Sequence, residues 1–273
     1  VLSQYLNGLD GDSLGNAHNK GEKLEMEKIY DSSSLNKLLP HYDFYLKRGI
    51  DERVLSSLKG GLATAGKLYQ RFVFPIYNKN QQIHGFSGRD MLNKEGRPKW
   101  KHIGKKATWL YPFYVPQKEG SFRDNFNEEK PLILVESIGD LLSCHQHNIH
   151  NAAVSFGLDV SPTLICEMLE INPSQIIISF NNDADKDSNR GLEGAVKNFL
   201  KLLNHFDPHK LLICLPLHND FGDMSSGDFA EWEKKLASIK PEQQHQKIIE
   251  LSSTMYKERK LSKNLFKNTK LLK

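Results

Sequence analysis

Long apolar runs are missing from this 273-residue chain: none approaches the ~20 consecutive apolar residues of a membrane span, which excludes a helical membrane protein. There is no secretory h-region. Cysteine is scarce, and Cys144, Cys166 and Cys214 stand far apart with no pair at zinc-ligand spacing, so no zinc site is expected. An odd number of thiols, all in apolar segments, is expected of reduced, buried side chains in a cytoplasmic protein. No phosphate-binding P-loop occurs. A large excess of one charge is lacking too: 37 Lys and Arg against 33 Asp and Glu leave a net charge of +4. That permits a polyanionic partner without demanding one. A chain that opens on Val1 is expected to have had residues ahead of it.

What is present is a segregation of charge. Lys and Arg gather between residues 89 and 106 and again in the C-terminal tail, while carboxylates gather at strand ends. In LILVESIGDLL, residues 132 to 142, Leu132 to Val135 form a continuous apolar run, the pattern of a strand covered on both faces. Glu136 ends that run, and Ser137 and Gly139 allow a tight turn into a helix carrying Asp140. A short β-branched run, Ile176 to Ile178, leads into Asn181, Asn182, Asp183, Asp185 and Asp187, and a third strand, Leu211 to Pro216, leads to Asp220 and Asp223. Ligands collect at the carboxyl ends of strands in open α/β sheets. Hard oxygen ligands from several strand ends, with room for water and phosphate, suit Mg²⁺ or Mn²⁺.

The order of elements predicts an α/β chain in which an α+β N-terminal part precedes a four-stranded, mainly parallel sheet flanked by helices. Residues 1–30 read as a loose lead-in. Residues 31–115 read as a basic subdomain, 116–130 as a polar bridge, 131–226 as the parallel-sheet domain and 227–273 as a basic helical segment ending in a solvated tail. Within 31–115, Leu35, Leu38, Leu39, Tyr42, Tyr45 and Leu46 follow a helical spacing, and Asp51 is placed to cap a short helix ending at Gly60 and Gly61. RFVFPIY and QQIHGFSGR alternate as a hairpin turning at Asn78 to Asn80. Beyond it, Lys94, Arg97, Lys99, Lys101, Lys105 and Lys106 interleave with Trp100, Trp109 and Tyr111. That mixture suits single-stranded nucleic acid, whose phosphates pair with cations and whose bases stack on rings. The alternative is a solvated basic hairpin with its rings turned into the core.

VESIGD, SFNND and LPLHNDFGD, in that order, resemble the Toprim domain. Together with YLKRGIDERVL, RFVFPIY, GFSGRD and PKWKHIGK upstream, they look like the catalytic core of DnaG-type primases, particularly phage and plasmid forms, over roughly residues 40 to 225. The resemblance implies metal-dependent synthesis of RNA primers on single-stranded DNA from ribonucleoside triphosphates, in the cytoplasm of a bacterial or phage-infected cell, beside a replicative helicase or helicase domain. It implies Glu136, Asp183 and Asp220 as catalytic metal ligands with Asp185, and Asp140, Asn181 and Asp223 as auxiliaries. Arg71, Arg89, Lys99 and Lys101 are implied as nucleotide and template contacts. The family's Asp-x-Asp is here Asn181 and Asp183, and the amide is a weaker, neutral ligand. A Toprim nuclease and a decayed single-strand-binding module are the competing expectations.

Overall fold

The computed structural model describes residues 28–92, 95–185 and 188–272, so the lead-in up to residue 27, Lys94 and Asp187 lie outside the described residues. The first part of the chain runs β1 (Leu38–Leu39), α1 (Asp43–Leu46), α2 (Glu52–Ser57), β2 (Gly61–Ala63), β3 (Arg71–Tyr77), β4 (Ile83–Asp90) and β5 (Trp100–Ile103). These five strands form one antiparallel sheet in sequence order. The predicted hairpin is β3–β4. Its strands are buried almost throughout, with Tyr42, Tyr45, Leu55 and Leu58 of the helical segments packed in the same core.

One expectation in this region fails and another holds in part. Leu38 and Leu39 do not continue a helix. They pair as an edge strand with Ala63 and Leu62, so their apolar spacing served a sheet. Asp51 precedes α2 but makes no side-chain cap. Instead its backbone N–H donates to Gln146 Oε1 at 2.8 Å and its carboxylate accepts from Gln146 Nε2 at 3.0 Å, tying α2 to a helix 95 residues away. The left-handed turn after α2 falls on Lys59 (φ 57°) and not on a glycine. Gly60 is required for a different reason, since a Cβ there would strike the rings of Phe72 and Phe74.

The second part runs β6 (Leu132–Val135), α3 (Ile138–Gln146), β7 (Ala152–Val154), α4 (Pro162–Ile171), β8 (Ile176–Ser179), α5 (Arg190–Leu202), β9 (Leu211–Ile213), α6 (Ser226–Ser238), α7 (Pro241–Lys257) and α8 (Lys263–Lys267). The four strands are parallel in the order β7-β6-β8-β9. Alternate residues feed two cores. Ile133, Val135, Ile177 and Leu212 pack toward the antiparallel sheet, while Leu132, Leu134, Ile176 and Ile178 pack under α4, α5 and α7. Coverage on both faces is why these strands read as unbroken apolar runs. Ser161 accepts from Leu164 N at 3.2 Å and Pro162 opens α4, as the sequence predicts.

One apolar cluster runs from Tyr42 through Phe72, Phe74, Trp109 and Tyr111 to Phe221 and Trp232, so the two sheets share a core. The polar 116–130 segment is fastened to both: Gln117 Nε2 donates to Ser57 O at 3.0 Å, and Asn127 exchanges hydrogen bonds with Asn151. The basic C-terminal tail is likewise docked and not solvated throughout. Leu261 is buried, Asn268 Nδ2 donates to Leu200 O at 2.7 Å, and Lys260 pairs with Glu193 at 2.8 Å. Cys144 and Cys214 are buried, but Cys166 faces outward on α4, against expectation.

Candidate active site

The carboxylates predicted from the sequence gather at one end of the parallel sheet because each follows a strand running in the same direction. Glu136 is the first residue after β6. Its carboxylate takes a backbone N–H from Asn181, on the loop after the neighbouring β8. That loop is held by amides the sequence reading treated only as part of an acidic run or a helix start. Asn182 donates to Pro216 O at 3.1 Å and its N–H reaches Asn219 O at 2.7 Å, stitching the β8 loop to the β9 loop. Asn189, the cap of α5, accepts from both Asp183 N at 3.2 Å and Leu192 N at 3.0 Å and donates to Asn182 Oδ1 at 2.8 Å. Gly191 lets the start of α5 press against the Asn181 carbonyl, where any side chain would collide.

Asp140 closes a capping box on α3: its Oδ2 accepts from Ser137 N at 2.9 Å and Ser137 Oγ at 2.8 Å. It is buried, and burial, reinforced by the charges of Asp220 and Glu136, pushes its carboxyl up to about 7 against the hydrogen bonds from Ser137. Burial also raises Glu136, helped by Asp183 and opposed by the Asn181 N–H, Arg190 and Lys99. Asp220 is raised by burial and by Asp223, and lowered by Lys99 and by the N–H groups of Gly222 and Asp223. These couplings run as a chain from Asp183 through Glu136, Asp140 and Asp220 to Asp223. Asp185 is exposed on the β8 loop. Among the described residues, however, no three His, Cys, Asp or Glu side chains stand close enough to hold one metal ion by themselves.

Facing the carboxylates across a cleft of about 260 Å³ is the antiparallel sheet. Arg48, Arg89, Lys99, Phe44 and Trp100 line one side, and Asp140, Asp220 and Asp223 the other. Arg89 and Trp100 are cross-strand partners on β4 and β5, and the guanidinium stands 5.8 Å from the indole ring. Desolvation lowers Arg89 from the usual guanidinium value, with Tyr45, Asp90 and Asp220 opposing.

No family model matches the chain. A DNA primase of Legionella pneumophila is 27% identical over 195 residues, which cover 60% of this chain and 32% of that protein. A DNA primase of Escherichia coli K12 is 29% identical over 173 residues, or 58% and 28%. The E. coli primase catalytic core superposes with a TM-score of 0.58 at 18% identity over 72% of each chain. This chain has the fold of the DnaG-type primase catalytic core. A DnaG primase catalytic domain with single-stranded DNA bound gives 0.57 at 17% identity, over 72% of this chain and 71% of that one. The chain spans a third or less of the length of these two primases, 32% and 28%.

Within the DnaG fold, the predicted basic contacts separate. Arg89 and Lys99 line the cleft. Arg71 does not: it is 3% exposed, and its Nη1 donates to Pro98 O at 2.9 Å and Gly88 O at 3.3 Å beside Asp90. It braces the loop that carries Lys99. Lys101 is exposed, but strand alternation turns it to the opposite face of β5 from Trp100, away from the cleft. Of the three rings proposed for stacking, Trp109 and Tyr111 are core residues at 1% exposure. Only Trp100 borders the cleft. Arg48 was missed. It sits just past α1 in the quoted YLKRGI stretch, held by Nη1 to Phe44 O at 2.7 Å and stacked 3.7 Å over the Phe44 ring. Its signal was the Gly49 that ends the helix and exposes it.

Proposed function

We propose that this chain is the polymerising core of a primase. It joins ribonucleotides into short primers on single-stranded DNA, by attack of a ribose 3′-oxygen on the α-phosphorus of the next ribonucleoside triphosphate, with pyrophosphate leaving. The observation that carries this reading is the cleft in which Asp140, Asp220 and Asp223 face Arg48, Arg89 and Lys99. Such a transfer demands charge neutralisation and alignment more than covalent chemistry, and the two walls offer both signs of charge.

Glu136, Asp183 and Asp220 are assigned to hold Mg²⁺ or Mn²⁺, with Asp185, Asn181, Asp140 and Asp223 as auxiliaries. The donor set fits a hard cation. Mg²⁺ keeps several waters and is held by one or two carboxylates together with substrate phosphates, so it does not need the three-ligand protein cluster that the described residues lack. When bound, the metal would neutralise phosphate charge and make the attacking hydroxyl more acidic. Lys99, whose charge acts on both Glu136 and Asp220, and Arg89 and Arg48 would grip the triphosphate. Trp100 offers a stacking face to a base. The Asn181 backbone N–H donates to the Glu136 carboxylate and opposes the burial that raises it, a task its side chain does not enter. Arg71 and Lys101 are left out of the assignment because of where they lie. A single-stranded template is supported by the solved primase structure that contains one, a replicative helicase is the expected partner, and the bacterial sources of the relatives favour a bacterial cytoplasm.

The test is primer synthesis on a random single-stranded DNA template with labelled ribonucleotides and each divalent ion in turn. Oligoribonucleotides should form only with metal, and Glu136→Gln should abolish them. Undiminished synthesis by that variant refutes the site, and shortening of the template without nucleotides would identify a nuclease.

A further inference from the structure

Two polar atoms in the wall of the cleft are buried without a hydrogen-bond partner among the described residues: the hydroxyl of Tyr45, a side chain only 5% exposed, and Nη1 of Arg89. Both residues line the cleft. The fold brings them together. The Tyr45 ring stands edge-on to Phe72, centroids 4.9 Å apart, and Phe72 is the cross-strand partner of Arg89. Phe44 completes the cluster, 5.0 Å from the Tyr45 ring and 6.0 Å from the Arg89 guanidinium. The charge of Arg89 opposes the burial that raises the Tyr45 hydroxyl above its usual value. A neutral phenol can accept a hydrogen bond from a guanidinium and still donate one, whereas a buried donor left unpaired is costly.

We infer that Tyr45 is a positioning residue: one water bridges its hydroxyl to Arg89 Nη1, and so turns the remaining guanidinium donors into the cleft toward a nucleotide phosphate. The inference rests on the nucleotide-binding reading of that cleft. Tyr45 opens the YLKRGIDERVL stretch quoted above, where no role was assigned to it.

The test is a double-mutant cycle on the whole chain, read as Mg²⁺–ATP affinity, with Tyr45→Phe, Arg89→Gln and the pair. Tyr45→Phe keeps the ring and should weaken ATP about fivefold, the worth of one neutral hydrogen bond. Arg89→Gln should weaken it further, and the pair should match Arg89→Gln alone. Losses that multiply in the pair, or no loss in Tyr45→Phe, overturn the inference. A second readout needs no nucleotide: the NMR signal of Arg89 Nε–H, identified by its absence in Arg89→Gln, should broaden and exchange faster in Tyr45→Phe. An unchanged signal overturns the positioning role. If the wild type neither binds ATP nor makes primers, the reading of the cleft fails, while the NMR comparison still decides what Tyr45 does.

Discussion

Two clusters of buried carboxylate in this protein are built in opposite ways. At the back of the molecule Glu167 is fully buried on α4 and saturated. Tyr114 Oη donates to its two oxygens at 2.8 and 2.9 Å, Arg123 Nε at 2.9 Å, and Lys79 Nζ lies 3.2 Å away. That cluster joins the β3–β4 turn, the polar bridge and α4. At the carboxyl ends of the parallel strands, Glu136, Asp140 and Asp220 are each raised by burial, and each is raised further by another carboxylate. A carboxylate matched by cations and donors is a fastening. Carboxylates crowded against one another store repulsion that a divalent ion would relieve, which accords with the metal site proposed above.

The comparison breaks most sharply at its two centres. Glu136→Gln should lower primer synthesis by about a hundredfold or more, with a melting temperature equal to or above that of the wild type, since it removes repulsion. A fall in both would make Glu136 structural. Glu167→Gln should do the reverse. It strips charge from a buried site that Arg123 and Tyr114 still need, costing about 2 kcal/mol in a urea titration, less than a fully buried pair because Arg123 and Lys79 are partly exposed. Activity per folded molecule should be kept.

The pH dependence sharpens the contrast. A carboxyl whose folded-state pKa lies above its unfolded value favours folding fully below about pH 4, and that advantage is lost as pH rises to about 7 for Asp140. Without metal, stability measured by urea midpoints should therefore decline between those values, Asp140→Asn should flatten the decline, and Mg²⁺ should stabilise the wild type more at pH 8 than at pH 5. A slope unchanged in Asp140→Asn would count against the crowding of these carboxylates. The smallest effects separate the two faces of β5: Lys99→Ala should reduce the slope of log affinity against log salt for single-stranded DNA by about one, the loss of one phosphate contact. Lys101→Ala should change it by far less. Equal slopes for the two variants would place the nucleic acid elsewhere.

Much of the scaffold was legible before any coordinates. Continuous apolar runs at 132–135 and 176–178 mark strands covered on both faces, Ser161-Pro162 marks a helix start, and the Asn78–Asn80 cluster marks the hairpin turn. These signals are local, and backbone sterics and capping act over a few residues. Leu38 and Leu39 defeated the same logic because two apolar neighbours fit a helix stripe or an edge strand equally, and only the partner strand at Leu62 and Ala63 decides between them. The basic stretch misled in another way. Lys99, Trp100, Lys101, Trp109 and Tyr111 are close in sequence, but strand alternation and packing send them to a core, a cleft and an outer face.

By itself, then, the order of residues determined the strands of the parallel sheet, which carboxylates follow them, and that parallel strands would carry those carboxylates to one end. Tertiary structure alone decided which cations face them, how Asn182 and Asn189 lock the loops, and how burial and mutual repulsion raise Glu136, Asp140 and Asp220. The reason is one of range: conformational preference is settled within a turn or two of the chain, while desolvation and Coulomb energy depend on neighbours that only the completed fold brings together.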